Sequence, residues 1–317
     1  PDPQGRDLLV AVRAVAVNPV DTKIRAPKDK TEDPPKVLGW DASGVVEAVG
    51  PDVTLFAPGD EVYYAGDLKR PGTNAEYQLV DERIVGSKPA SLSHAEAAAL
   101  PLTTITAYES FFDRLGIDPD GGDAGQSILL VGAGGGVGSI GIQLAKLAGL
   151  EVIATASRPE TTEWVRELGA DHVVNHREDM VEQVRAAGFQ HVDHIAIFND
   201  MSHWDAAVEL LRPQGGIVSI DDTNQPMPMA PLKTKSGSLH WELMFTRAMN
   251  QTPDMIEQHR LLSRVADQVD AGKIRTTVTE VISPINAENL RRAHAMLEEG
   301  TARGKIVLEG FSGTATG

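Results

Sequence analysis

The 317-residue sequence contains no cysteine. That absence excludes disulfides, thiolate metal sites and a thiol nucleophile together. Positive charge is scarce: 29 Lys and Arg against 45 Asp and Glu leave a net charge of −16. A phosphate backbone or an anionic bilayer repels such a chain, so no nucleic-acid partner is expected. No apolar run approaches the ~20 residues of a membrane span, and the first residues lack a charged-then-apolar targeting pattern. A cytoplasmic chain with no membrane partner is therefore expected. Internal repeats are absent too, which excludes solenoids. What is present is 41% hydrophobic content, enough for about two domains of ~150 residues, each with its own core. The chain opens without Met, in a Pro/Asp segment leading straight into a strand-like run, so further residues are expected before Pro1.

Along the chain the rhythm changes once. Over 8–17, 42–49, 60–64 and 75–80, short β runs alternate with Gly, Pro and Asp, which predicts a small, mostly antiparallel barrel or sandwich. From residue 127 onward strand and helix alternate: strands at 128–131, 151–154, 172–174, 192–198 and 216–220, with helices near 137–148, 160–168, 180–187 and 204–211. Such alternation with short links predicts an α/β domain with a doubly wound parallel sheet and right-handed crossovers. Residues 221–237, rich in Pro, Met and polar side chains, read as a long loop. A helix over 253–271, a strand at 277–282, a helix at 287–299 and a strand at 305–308 follow, and 311–317 reads as a frayed tail.

The densest chemical signal is Gly132-Ala133-Gly134-Gly135-Gly136-Val137-Gly138-Ser139, between a buried strand and a helix. A strict G-x-G-x-x-G does not fit, but Ala133, Gly135 and Gly138 give A-x-G-x-x-G. Small residues let the backbone approach a pyrophosphate, Gly138 lets helix pack on strand, and the helix N-terminus offers free N–H groups to the anion. No Lys-Ser/Thr pair follows, which disfavours an NTP-hydrolysing P-loop. The next strand then discriminates between cofactors. NAD sites place a carboxylate at its end for the ribose 2′-OH, whereas here it ends in Ser157-Arg158 with no acid until Glu160. A guanidinium fork suits a 2′-phosphate, so NADPH is expected.

These residues sit within a longer set: 18–25 (Asn-Pro-Val-Asp-Thr-Lys-Ile-Arg), 39–46 (Gly-Trp-Asp-Ala-Ser-Gly-Val-Val), Gly59-Asp60-Glu61-Val62-Tyr63-Tyr64, 97–108, Leu168-Gly169-Ala170-Asp171 and Gly304-Lys305-Ile306-Val307-Leu308. In this order they resemble the medium-chain dehydrogenase/reductase superfamily, in particular its zinc-independent quinone oxidoreductase branch, which includes members called zinc-type alcohol-dehydrogenase-like. The resemblance implies a GroES-like, mostly β catalytic domain (1–103 and 273–317), a Rossmann NADPH-binding domain (104–272) and an active site in the cleft joining them. It also implies a homodimer formed through an edge of the Rossmann sheet. Zinc-dependent relatives have Gly-His-Glu where this chain has Gly39-Trp40-Asp41, and their cysteine ligand and four-cysteine lobe are missing, so no zinc is expected.

A zinc-free reductase must stabilise negative charge on a substrate oxygen by hydrogen-bond donors. The resemblance points to Asn18, near the nicotinamide, and Tyr64, facing the substrate, as catalytic residues. Asp21 and Lys23, two apart on what reads as a strand, are expected to form a structural ion pair. Cofactor contacts carried over are Thr106, the glycine turn (Ala133, Gly134, Gly135, Gly136, Val137, Gly138), Ser157, Arg158, His176, Phe198, Asn199, Ser219 and Lys305. Relatives often have lysine where this chain has Thr161, which leaves the phosphate's cation to Arg158. The resulting expectation is an NADPH-dependent reductase of a small quinone or activated alkene (enone or enal). A zinc-free alcohol or carbonyl dehydrogenase and a non-catalytic NADPH-binding protein are the alternatives.

Overall fold

A computed structural model describes residues 2–26, 32–221, 223, 225–300 and 302–311. The frayed tail expected beyond residue 311 lies outside the described residues. The chain divides into two compact units, Pro1–Ile105 with Met244–Gly317, and Thr106–Leu243.

The first unit begins with β1 (Asp7–Ala16), α1 (Pro19–Arg25), β2 (Ala42–Val49), β3 (Glu61–Tyr64), β4 (Tyr77–Asp81), β5 (Val85–Ser87) and α2 (His94–Ala98). Helix α3 (Pro101–Tyr108) leads out of it and runs into a π-helical turn, Glu109–Arg114. In the second unit follow β6 (Ser127–Val131), α4 (Gly136–Leu147), β7 (Glu151–Thr155), α5 (Pro159–Glu167), β8 (His172–Val174) and α6 (Met180–Ala186). Then come β9 (Val192–Ile197), α7 (Trp204–Leu210), β10 (Leu211–Ser219), α8 (Ala230–Thr234) and β11 (Ser238–Trp241). The chain returns to the first unit with α9 (Thr246–Asn250), α10 (Glu257–Asp270), β12 (Val278–Ile282), α11 (Ala287–Glu298) and β13 (Lys305–Glu309).

The first unit holds a seven-stranded sheet, ordered β12-β13-β1-β2-β3-β5 with β4 also paired to β1, and every pairing except β12–β13 is antiparallel. The second holds a six-stranded, all-parallel sheet, ordered β11-β10-β9-β6-β7-β8. Strand β6 is buried along its whole length, as a central parallel strand covered on both faces must be, and this explains its unbroken Ile-Leu-Leu-Val run. The chain proceeds outward from β6 through β7 to β8, then crosses to β9 on the other side of β6. That reversal creates a topological switch point beside the turn after β6, where doubly wound sheets bind ligands.

Several sequence expectations need correction. The segment after Val17 is helix α1, not strand: Pro19 occupies its first turn and Asp21 its N3 position. Asp21 points into the protein and Lys23 outward, so the strand geometry on which their ion pair rested does not exist. The 221–237 loop contains α8 and leads into β11, a four-residue strand of Ser, Leu, His and Trp, too short and too polar to stand out by pattern. Residues 244–272, read as part of the nucleotide domain, group with the first unit, where α10 packs its stripe of Leu261, Leu262, Val265 and Val269 against β5 and the adjoining 3-10 turn.

Candidate functional site

In the second unit, the strand-turn-helix around the glycines is built as a phosphate cradle. Gly135 caps α4, so the first N–H groups of the helix have no intrahelical acceptor and project toward the turn. A Cβ on Gly138 would lie 2.4 Å from the backbone of Ala133, so only glycine permits this approach of helix and turn. At Gly135, by contrast, a Cβ would meet nothing nearer than the Gly132 carbonyl oxygen at 3.6 Å, and the space beyond is open. Gly132 sits against Phe198 and Asn199 at the end of β9, where its Cβ would come within 3.3 Å of Asn199. The turn and the end of β9 therefore meet at the switch point. There the Asn199 Oδ1 is buried with no hydrogen-bond partner among the described residues. An enclosed, unpaired acceptor beside a ring of free amides fits a polar ligand that supplies the missing partner.

Next along the sheet, β7 ends at Thr155, two residues short of Ser157. Ser157 and Arg158 lie in the link to α5, and Arg158 caps that helix. Its Nε lies 3.4 Å from Thr161 Oγ1 and 3.4 Å from the exposed Glu160 carboxylate. An open cavity of about 680 Å³ at the ends of β7 and β8 is lined by Ser157, Arg158, Arg166 and Asn175 together with the carboxylates of Glu163 and Glu167. Trp164 Nε1 donates to Ser139 Oγ at 2.8 Å and so ties α5 to α4. His176 stands after β8 with its ring 5.8 Å from that of His203. Burial first, then His203 and Arg177, hold its pKa below the ordinary imidazole value, so without an anion it is neutral. Ser219 ends β10 fully buried, its hydroxyl donating to the Asp221 carbonyl at 3.1 Å. Thr106 is buried on α3. The fold thus gathers Ala133 to Gly138 and Phe198-Asn199 at the turn, and places Ser157 and Arg158 just beyond the neighbouring strand.

In the first unit, Asn18 is buried and its amide is engaged by the protein. Nδ2 donates to Asp41 Oδ2 at 2.8 Å and, more weakly, to the carbonyls of Trp40 (3.3 Å) and Ala16 (3.4 Å). One hydrogen is firmly held and the second only loosely. Lys305, expected among the cofactor contacts, is 3% exposed and spends its three donors inside this unit. They go to the Val17 carbonyl at 2.9 Å, to Asp41 Oδ2 at 2.9 Å and to Asn18 Oδ1. The other Asp41 oxygen accepts the Leu102 N–H at 2.8 Å. Burial raises the pKa of Asp41 against the opposing pull of Lys305, Asn18 and Leu102. Tyr64 is fully buried in the core with Val10, Val62 and Val85. Its hydroxyl finds no partner among the described residues, and burial pushes its pKa upward.

These side chains do not fit a zinc ion. The only carboxylate at Gly39-Trp40-Asp41 already carries an ammonium and two further donors, and Trp40 is an indole donating to the Asp67 carbonyl at 3.4 Å. Among the described residues no three His, Asp or Glu side chains converge as a metal site requires.

Sequence reasoning missed a second buried cluster, in the parallel-sheet unit. Glu109, at the head of the π-helical turn, meets Glu242, just after β11, and Arg114 donates Nε to Glu242 at 2.8 Å. Burial, then Glu109, pushes Glu242 up to about 9, so the two carboxylates share a proton at neutrality.

Comparison with known proteins agrees with this architecture. Residues 4–93 match the alcohol dehydrogenase GroES-like domain, and residues 168–308 the family described as zinc-binding dehydrogenase. A zinc-type alcohol dehydrogenase-like protein of Staphylococcus aureus is 46% identical over 97% of this chain and 92% of its own length. The 2-methylene-furan-3-one reductase of Solanum lycopersicum is 32% identical over 97% of this chain and 73% of its own. Among solved structures, a putative zinc-dependent alcohol dehydrogenase of Rhizobium etli superposes with a TM-score of 0.93 at 54% identity, covering 98% of this chain and 91% of that one. Escherichia coli quinone oxidoreductase complexed with NADPH superposes with a TM-score of 0.80 at 25% identity, covering 98% and 93%. With a GroES-like unit, a Rossmann-like parallel sheet and relatives matched along almost the whole chain, this protein is an oxidoreductase of the medium-chain dehydrogenase/reductase superfamily.

Proposed function

We propose that the protein is an NADPH-dependent, zinc-free reductase of quinones or activated alkenes. The observation that carries this reading is the glycine turn at the head of α4 with Ala156-Ser157-Arg158, and no acid before Glu160, directly after β7. The amides of Gly136, Val137 and Gly138 bind the pyrophosphate, Asn199 offers its buried oxygen to a donor of the dinucleotide, and Ser157 and Arg158 hold the 2′-phosphate. When bound, the nicotinamide supplies a hydride. Asn18 is the donor to the substrate oxygen, through the amide hydrogen that only two long contacts now occupy. In this reading Tyr64, which is fully buried, packs the core, and Lys305, which is buried against Asn18, anchors it.

The relatives support the substrate class, since one is named for reducing a methylene-furanone, an activated alkene, and another for reducing a quinone. The edge strand β11 supports a homodimer: it pairs only with β10 among the described residues, and Trp241 at its end and Leu243 just beyond are about half exposed, at 50% and 51%.

The test is NADPH oxidation in the presence of 9,10-phenanthrenequinone, 2-cyclohexenone or a saturated aldehyde, with metal content assayed after dialysis. Turnover of the first two by zinc-free protein is expected. Turnover of the aldehyde alone indicates a carbonyl dehydrogenase, and binding without any turnover a non-catalytic NADPH-binding protein.

A further inference from the structure

Beneath Asn18 lies a carboxylate for which the proposed reaction has no use. Asp21 is 0% exposed. Its Oδ2 accepts the Asn18 N–H at 2.5 Å, returning to the helix cap from position N3; the Gly39 backbone N–H is the other donor near the carboxylate, and Oδ1 is buried with no hydrogen bond of ordinary geometry among the described residues. The charged groups around it are Lys305 on β13 and Asp41 before β2. From α11, which packs on α1, the buried titratable side chain is His294, held neutral by that burial; Glu298 pairs with Arg25, and Glu288, Arg291 and Arg292 are exposed. Two carboxylates thus face one ammonium, and Lys305 has spent all three donors without reaching Asp21. The hydrogen bonds at Asp21 suit its ionised form: Oδ2 accepts a backbone N–H, whereas a proton on Oδ1 would have no acceptor.

We propose that Asp21 is a positioning residue that holds Asn18 in its reactive orientation only while ionised, and releases the start of α1 when protonated. Ionised, it fixes the Asn18 N–H and competes with Asp41 for the field of Lys305, the group that grips the Asn18 side-chain oxygen Oδ1. Protonated, it loosens the cap and leaves Lys305 wholly to Asp41. Burial, opposed by the Asn18 N–H and Lys305, moves this carboxyl up to about 7, so the exchange falls at neutral pH. Because the folded pKa exceeds the unfolded value, the folded state holds the extra proton between about pH 4 and 7, and stability drains away as pH rises through that window.

The experiment compares the full chain with D21N, which keeps an acceptor for the Asn18 N–H but cannot ionise. Thermal unfolding of the unliganded proteins comes first. The wild-type midpoint should fall relative to D21N by several degrees as pH rises from 5 to 8; parallel curves overturn the proposal. In turnover of 2-cyclohexenone with NADPH, wild-type kcat should rise about tenfold across pH 7, D21N should stay at the low-pH level throughout, and KM for NADPH should be the same in both. A D21N profile that still rises across pH 7 overturns it as well. If D21N does not fold, carboxyl-carbon NMR of the wild type decides: titration near 7 supports the proposal, and titration near 4 contradicts it. The kinetic arm rests on the reductase reading, whereas the unfolding and NMR arms do not, so absence of turnover would sink that reading and leave Asp21 to be judged by the other two.

Discussion

Arg158 and Lys305 show how two cationic side chains can serve opposite ends. The guanidinium just beyond β7 sits partly exposed, shared between the Glu160 carboxylate and a cavity whose lining mixes Arg158 and Arg166 with Glu163 and Glu167, so an anion entering there must compete with Glu160 for it. Its replacement by Ala should weaken NADPH binding ten- to a hundredfold, the ~1.5–3 kcal/mol of a charge-assisted contact, and leave NADH almost unchanged. Paired fluorescence titrations would show this, and equal weakening of both would remove Arg158 from the 2′-phosphate. Lys305 has no such opening. Its partners Asn18 and Asp41 are 287 and 264 residues away in sequence, which is why no local pattern could reveal its role. Replacement by Met strands a buried carboxylate, and a loss of about 3–5 kcal/mol in denaturant unfolding is expected. For Tyr64, burial of an unpaired hydroxyl predicts that Y64F unfolds at the same temperature or higher and retains turnover; a hundredfold fall in kcat would return the hydroxyl to the chemistry.

At the level of elements, the β6-turn-α4 unit was legible because each local signal agrees: an unbroken apolar run for a buried strand, then glycines where backbone must approach backbone. The two key glycines can be separated by substitution. G138A drives a Cβ to 2.4 Å from Ala133, and overpacking of about 1–3 kcal/mol or more should appear as a lowered unfolding midpoint. G135A, with φ −76° and an open direction ahead, should fold normally and lose nucleotide affinity at least tenfold. If G135A binds NADPH as tightly as the parent, the phosphate is not in this turn. Helix α1 was missed although Asn-Pro-Val-Asp contains a cap, a first-turn Pro and an N3 acid, because seven residues show little periodicity. Strand β11 was missed because an edge strand needs neither alternation nor apolar bulk. The Glu109–Glu242 pair was invisible for a different reason: the strand that delivers Glu242 was itself unseen. It too carries a pH signature. Raised well above the usual carboxylate range, Glu242 costs stability as pH climbs toward 9, so E242Q should unfold at a higher temperature than the parent at pH 8 to 9 and show a smaller advantage at pH 5.

On the scale of the whole molecule, both units were foreseen in class, and what sequence misplaced was the point of return. Residues 244–272 join the first unit through the apolar face of α10, a long-range packing choice that helix periodicity alone leaves open. No helix among the described residues is long and apolar enough to cross a membrane. The claim on which the functional account stands is that the parallel-sheet unit binds a dinucleotide by its pyrophosphate and selects the one bearing a 2′-phosphate. Isothermal titration of the full chain with NADPH and NADH, at one pH and ionic strength, tests it directly. The account predicts a single site per chain with NADPH bound at least tenfold more tightly; equal or tighter binding of NADH, or no heat from either, would contradict it.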